Sequence, residues 1–299
     1  MTDPILPSDL KVGEKIFDLF EFGGVRVEPE DHPCFDPNKS TFDHNPDGSV
    51  TNTTDDLSYR MNCFCHHTHK EEFVKDTDKQ AFMEANGDKF DQIRERGFYR
   101  SPAELNDCII YMDVKNEKDK TDHGSLTLEI NSLLHNEDFA SGRGGCSYHF
   151  TIEKNGQFGL EKEIVHHEYE QKKHSGDNAK GEAFDKKKRF QFICVKKFIN
   201  KDDRQEGVVL QIWVKKPGAQ EFVKVQNVED RHDWYRSPPQ YTGDEVMKMT
   251  NVHSSFRDGE AITWGAPIGL IIKGGGSSDD SEKLIYTFFD VKIWRPLYD

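Results

Sequence analysis

Apolar residues recur at every second position along much of the chain. The segments 59–65, 126–130, 146–152, 158–160, 208–214 and 222–225 all alternate in this way. Period-two patterning marks strands with one face on a core. The segments 107–114, 190–198, 267–272 and 284–293 are more uniformly apolar, as expected of strands that lie centrally or are covered on both faces. Turn-forming clusters separate them, at 141–145, 153–156, 216–218 and 274–280, and Asn155-Gly156 is the strongest hairpin signal. Helical patterning is confined to 78–96, enough for one or two short helices. About ten regularly spaced strands without alternating helices predict an all-β sandwich or jelly roll, not a βαβ sheet.

Residues 1–56 are rich in Asp, Pro, Asn, Gly and Thr. They read as an irregular N-terminal segment packing on the sandwich, with few strands of its own, and the sandwich domain is expected over 57–299. No internal repeat and no boundary between two folded domains is visible.

Composition refines this picture. Hydrophobic residues make up 34% of the chain and charged residues 31%, yet 21 Phe, 9 Tyr and 4 Trp supply bulk for a core. The net charge of −14 argues against general nucleic-acid binding and for solubility or neutral ligands. Within it, Lys186-Lys-Lys-Arg189 reads as a solvated turn or strand entrance. No stretch approaches the ~20 apolar residues of a membrane span. The N-terminus shows no signal-peptide pattern, which predicts a cytoplasmic protein as written, or an extracellular one if this is a mature form. Cys108 and Cys194 sit in apolar runs and read as small buried hydrophobes.

The order of blocks along the chain carries a resemblance. Tyr59-Arg-Met-Asn62, Gly97–Pro102, Gly144–His149, Lys162-Glu-x-x-His166-x-x-Tyr169, Val209–Trp213, Ile262-Thr-Trp-Gly-x-Pro267 and Phe289–Pro296 follow one another. Over about residues 57–297 this resembles the concanavalin A-like β-sandwich proteins of microbes, especially those of ammonia-oxidising archaea. The resemblance implies a jelly roll of two antiparallel sheets with little helix. That fold also holds legume lectins, glucanases and polysaccharide lyases, so it implies a fold more strongly than a function. Glu-x-Asp-x-x-Glu, Gln-Ile-His and Tyr-x-Lys-x-Gly-x-Tyr, signatures of glucanases and alginate lyases, do not occur in the chain.

Alternation sorts side chains by face. With the apolar positions inward, Arg60, Asn62, Glu129, His149, Gln211 and Trp213 fall on outer faces. If these belong to one curved sheet, they line a concave groove in which a sugar stacks on the Trp and its hydroxyls take directed hydrogen bonds. The alternative is a solvated face, or one covered by the N-terminal segment. The block 161–169 is rich in titratable groups. Glu129, Lys162, Glu163, His166 and Tyr169 are catalytic candidates, for a lyase needing a base and an acid or a glycosidase needing two carboxylates about 5 Å apart. Tyr169 has the wrong parity for pairing with His166 unless a bulge or turn intervenes. Here the alternative is a buried Lys–Glu ion pair holding two strands.

Two weaker metal patterns are present. Asp43, Asn45 and Asp47 resemble the start of a calcium loop, but Thr54 occupies the twelfth position, where a Glu is expected, and an ordinary turn is favoured. Cys63, Cys65, His67 and His69 are zinc-type ligands without a standard spacing. No cofactor is required, although calcium is compatible with the sequence. Three functions follow: polysaccharide or glycan binding on the outer face, polysaccharide cleavage in the same groove, or a self-associating structural role in a surface layer, capsid or filament.

Overall fold

A computed structural model describes residues 3–18, 21–22, 25–26, 40–54, 59–61, 107–117, 125–132, 147–153, 158–165, 168–174, 188–234, 261–262, 268–274 and 284–298. The described strands are β1 (Val12–Asp18), β2 (Glu21–Phe22), β3 (Val25–Arg26), β4 (Ser40–His44), β5 (Val50–Thr54), β6 (Tyr59–Met61), β7 (Cys108–Asn116) and β8 (Ser125–Ser132). They continue with β9 (Ser147–Glu153), β10 (Phe158–Val165), β11 (Glu168–His174), β12 (Arg189–Phe198), β13 (Val208–Lys215), β14 (Val223–Asp230), β15 (Ile268–Gly274) and β16 (Leu284–Pro296). A 3-10 turn covers Arg204–Glu206. The helical pattern at 78–96 lies outside the described residues.

The strands form an all-β, antiparallel jelly-roll sandwich. An eight-stranded sheet runs β14-β13-β12-β7-β16-β5-β4, with β1 also on β16, and a six-stranded sheet runs β11-β10-β9-β8-β15-β6. Uniformly apolar β7, β12 and β16 lie in the middle of the larger sheet, and residues of both parities along them are buried, so both of their faces are covered. A bulge between Phe288 and Asp290 shifts the register of β16. It lets Tyr286 and Phe288, then Val291 and Ile293, all meet the core despite their uneven spacing. The β9–β10 hairpin brackets Asn155-Gly156, with Ile152 paired to Phe158.

Three stretches of the N-terminal segment expected to be irregular are strands of the larger sheet. β16 is 13 residues long, and its free edge is taken by β5 along its first half and β1 along its second. An edge of that length leaves a row of backbone donors and acceptors unpaired, and β-branched residues such as Val50, Thr51, Thr53 and Thr54 suit the pairing.

Between the sheets lie Phe150, Phe158 and Leu160 from one side and Phe190, Phe192, Leu210, Ile212 and Ile293 from the other, all essentially buried. The Phe158 and Phe192 rings meet across the sheets at 6.3 Å. Cys108 and Cys194 are buried free thiols in this core, and burial pushes the Cys194 thiol pKa up. Both are expected to resist alkylation at mildly alkaline pH in the native protein and to label only on unfolding. Peptide mapping by mass spectrometry checks this, and rapid native labelling of Cys194 would contradict it.

Candidate functional site

The two outer faces differ in chemistry. On the eight-stranded sheet, Ile109, Tyr111, Ile193, Val195, Trp213 and Trp294 form an apolar cluster, against which Leu6, Leu10, Val12 and Phe222 pack. This face is partly sealed by the chain's own N-terminus. Gln211 and Trp213 belong to it. Trp213 is only 5% exposed, its indole N–H donates to Gln211 Oε1 at 3.2 Å, and the Lys224 ammonium lies 4.5 Å from the ring centre. Gln211 donates in turn to Asn227 Oδ1 at 2.8 Å.

On the six-stranded sheet, strand register sets ionisable residues side by side. His149 pairs with both Glu129 and Glu161, Glu129 pairs with Ile271, and Ile271 pairs with Arg60. Gln171 continues the row beyond Glu161. A second row sets Glu163 between Ser147 and Tyr169. The single groove expected for Arg60, Glu129, His149, Gln211 and Trp213 is therefore divided. The first three share one row of this sheet, and the other two lie on the opposite sheet. Alternation assigns a face to each strand but does not assign strands to sheets.

His149 and Glu163 are joined at 3.2 Å between Nε2 and Oε2, and both are buried, at 3% and 0% exposure. Thr151, two residues from His149 on the same face, is also buried, and its hydroxyl has no hydrogen-bond partner. Opposite it on β10 is Gly159, which has no side chain to fill the space. Glu161 is half-buried. β10 and β11 are antiparallel, and their register, with Val165 paired to Glu168, sets Tyr169 directly across from Glu163. Asn62, His166, Cys63, Cys65, His67 and His69 lie outside the described residues.

Lys162 faces the opposite way, into the core. Its ammonium donates to Asp230 Oδ2 at 2.9 Å, and both side chains are fully buried. The Tyr148 hydroxyl donates to the same oxygen at 2.7 Å and accepts the Ile262 N–H at 2.9 Å. Asp230 Oδ1 accepts the backbone N–H of His232, which takes a positive φ of 63°. The ion pair thus ties the two sheets together. In place of the Lys–Glu ion pair weighed as the alternative, Lys162 pairs with Asp230 and Glu163 with His149. Consecutive strand residues point to opposite faces and cannot meet. Asp230 was not singled out from sequence, although β14 places Gln226, Val228 and Asp230 at inward parity, where a carboxylate needs a partner.

The loop of Asp43, Asn45 and Asp47 is the β4–β5 hairpin turn. Gly48, with φ of 87°, donates to Asn45 O at 2.9 Å, and Asp47 Oδ1 accepts from the Ser49 N–H and hydroxyl at 3.0 and 2.6 Å. These bonds hold the Asp47 carboxyl below the usual carboxylate range. Among the described residues no group of three or more His, Cys, Asp or Glu is arranged to hold a metal. None of the described helices is long and apolar enough to cross a membrane.

No family model matches the chain, and no curated protein matches it in sequence. Among solved structures, it is similar to a marine PL-14 alginate lyase from Aplysia kurodai, at 14% identity over 65% of this chain and 71% of that one, with a TM-score of 0.37. It is similar also to the exoplasmic/lumenal domain of VIP36 in a Ca2+/Man3GlcNAc-bound form, at 8% identity over 89% and 85%, with a TM-score of 0.41. A third is sheep galectin-11 in complex with glycerol, at 9% identity over 62% and 89%, with a TM-score of 0.31. The fold assignment itself rests on the strand order and register given above.

Proposed function

We propose that the protein binds a polysaccharide or glycan chain across the outer face of its six-stranded sheet. The observation that carries this reading is the row Arg60–Ile271–Glu129–His149–Glu161–Gln171, one residue from each of six adjacent strands. At an interstrand spacing of about 4.8 Å, six positions span about 24 Å, enough for several sugar rings laid across the strands. Carboxylate, imidazole and amide groups in series suit a ligand rich in hydroxyls. The outer face of the other sheet carries a shorter polar row, Lys215–Gln191–Asp113–Asp290, beside an apolar cluster on which the N-terminus packs.

His149, Glu163 and Thr151 form the floor of this site. Burying a His–Glu pair costs desolvation, and a hydroxyl without a partner adds to that cost. His149, at 3% exposure, would meet a sugar hydroxyl through its imidazole at this row. His149→Gln is expected to lower glycan affinity by about tenfold, the order of one charge-assisted hydrogen bond. Affinity electrophoresis against a polysaccharide panel, with circular dichroism as the folding control, measures it. Wild-type retardation that His149→Gln leaves unchanged on every polysaccharide would sink the assignment.

The His149–Glu163 bond, with Tyr169 across from Glu163, favours one second reading. The same face would cleave a uronate polymer by β-elimination, with His149 as base and Tyr169 as acid. Ultraviolet absorbance of an unsaturated product tests it, and no absorbance gain on any uronate polymer would leave binding alone.

A further inference from the structure

A cleft of about 640 Å³ opens at one end of the eight-stranded sheet, where β7 begins and β12 and β16 end. That volume lies within the ~300–1,000 Å³ usual for small-ligand sites. Backbone bonds hold its walls together. The Leu297 N–H donates to Lys11 O at 2.9 Å, which ties the end of β16 to the N-terminal segment. The Ile199 N–H donates to Gly207 O at 3.1 Å, which closes the loop after β12.

The cleft has an apolar floor and a polar rim. Ile109 and Val195, both buried, form the floor, and Leu10 packs on the same apolar cluster from the side. Tyr298 stands above them, half-buried. Its hydroxyl donates to Asp107 Oδ2 at 2.7 Å and accepts the Phe198 N–H at 3.0 Å, so the ring is fixed from both sides of the oxygen. On the rim, Asn200 Oδ1 accepts the N–H groups of Asp202 and Asp203 at 3.0 and 3.3 Å, and its Nδ2 donates to Glu206 Oε1 at 2.8 Å. These bonds preorganise the loop that carries Asp202 and Glu206. The Lys197 and Lys201 ammonium groups lie 6.0 and 5.7 Å from the Tyr298 ring centre. Among the described residues, no ion pair joins either lysine to Asp202 or Glu206.

We propose that this cleft binds the terminal sugars of a neutral glycan. Lys197 and Lys201 can only donate hydrogen bonds, and Asp202 and Glu206 can only accept them. A sugar hydroxyl does both, so neighbouring hydroxyls on one ring can meet one group of each kind. The C–H face of the ring lies against Tyr298 and the apolar floor. An anion would meet the two carboxylates beside the lysines, and a cation the two lysines beside the carboxylates. A purely apolar ligand would desolvate the charged rim without replacing its hydrogen bonds to water. The lysine contacts with the ring are long and at the surface, worth about 0.5–1 kcal/mol each, so the ammonium groups can turn from the ring to a ligand. The site lies on the other sheet from the proposed polysaccharide row and does not rest on that reading.

The test uses the full chain and saturation-transfer NMR with maltose, cellobiose, lactose and mannobiose, with galacturonate, glucosamine and octanoate as charged and apolar comparators. At least one neutral disaccharide is expected to bind. K201M/D202N changes two exposed side chains and is expected to weaken that binding by about tenfold or more, with circular dichroism unchanged. His149→Gln is expected to leave it as in the wild type, which separates failure of this site from failure of the six-stranded-sheet reading. No wild-type binding to any neutral disaccharide, or unchanged affinity in K201M/D202N, overturns the proposal. So does tighter wild-type binding of galacturonate, glucosamine or octanoate than of every neutral disaccharide.

Discussion

Asp230→Ala is expected to destabilise the protein by about 3–5 kcal/mol, the usual cost of breaking a buried ion pair from one side. The substitution leaves the Lys162 ammonium in the core with its carboxylate gone. It also removes the acceptor of the Tyr148 hydroxyl and of the His232 N–H. Lys196 Nζ lies 5.7 Å from the centre of the same Tyr148 ring. Lys162→Met alone strands the carboxylate instead and is expected to be similarly harmful. The double variant Lys162→Met/Asp230→Leu is expected to lose much less than the sum, because apolar groups can replace both charges. Urea unfolding of all three variants measures the coupling. A loss below about 1 kcal/mol for Asp230→Ala would mean that the pair does not hold the sheets.

The second large effect is expected at Gly207→Ala. Gly207 takes φ 107° and ψ −159°, a backbone region essentially reserved for glycine. A Cβ there would overlap the Asp230 carbonyl. The same glycine accepts the Ile199 N–H at 3.1 Å and ends the 3-10 turn by donating to Arg204 O at 3.3 Å. An alanine must therefore push β14 aside at the residue that carries the core carboxylate. The expected loss is at least about 2 kcal/mol, from strain together with displacement of Asp230. Gly218→Ala is the matched control. Its φ of 80° is also left-handed, but nothing stands within 4 Å of the added carbon, so about 1–2 kcal/mol is expected. Equal losses at the two glycines, by thermal or urea unfolding, would show that contact with Asp230 adds nothing.

Alternation and turn chemistry made the sandwich legible before any coordinates. Val208–Lys215 and Ser147–Glu153 are strands with the faces their spacing implies, and the uniformly apolar runs are the central strands. The resemblance to proteins of ammonia-oxidising archaea rests on sequence blocks alone. Composition misled in one place. Residues 12–18, 40–44 and 50–54 looked like loop, yet they complete the larger sheet, because β16 offers 12–18 and 50–54 an edge more than 200 residues away in the chain and 40–44 pairs in turn with 50–54.

What the sequence determined by itself was the parity of each strand, and with it the alternate faces of Lys162 and Glu163. What only the tertiary structure decided was which strands share a sheet. That choice moved Trp213 and Gln211 onto the outer face of the larger sheet and aligned Arg60, Glu129 and His149 in one row of the other. It also gave Lys162 a partner 68 residues further along the chain. The reason is physical: side-chain direction is set by the local pleat, which period two records, whereas sheet membership is set by long-range pairing, which leaves no local period to read.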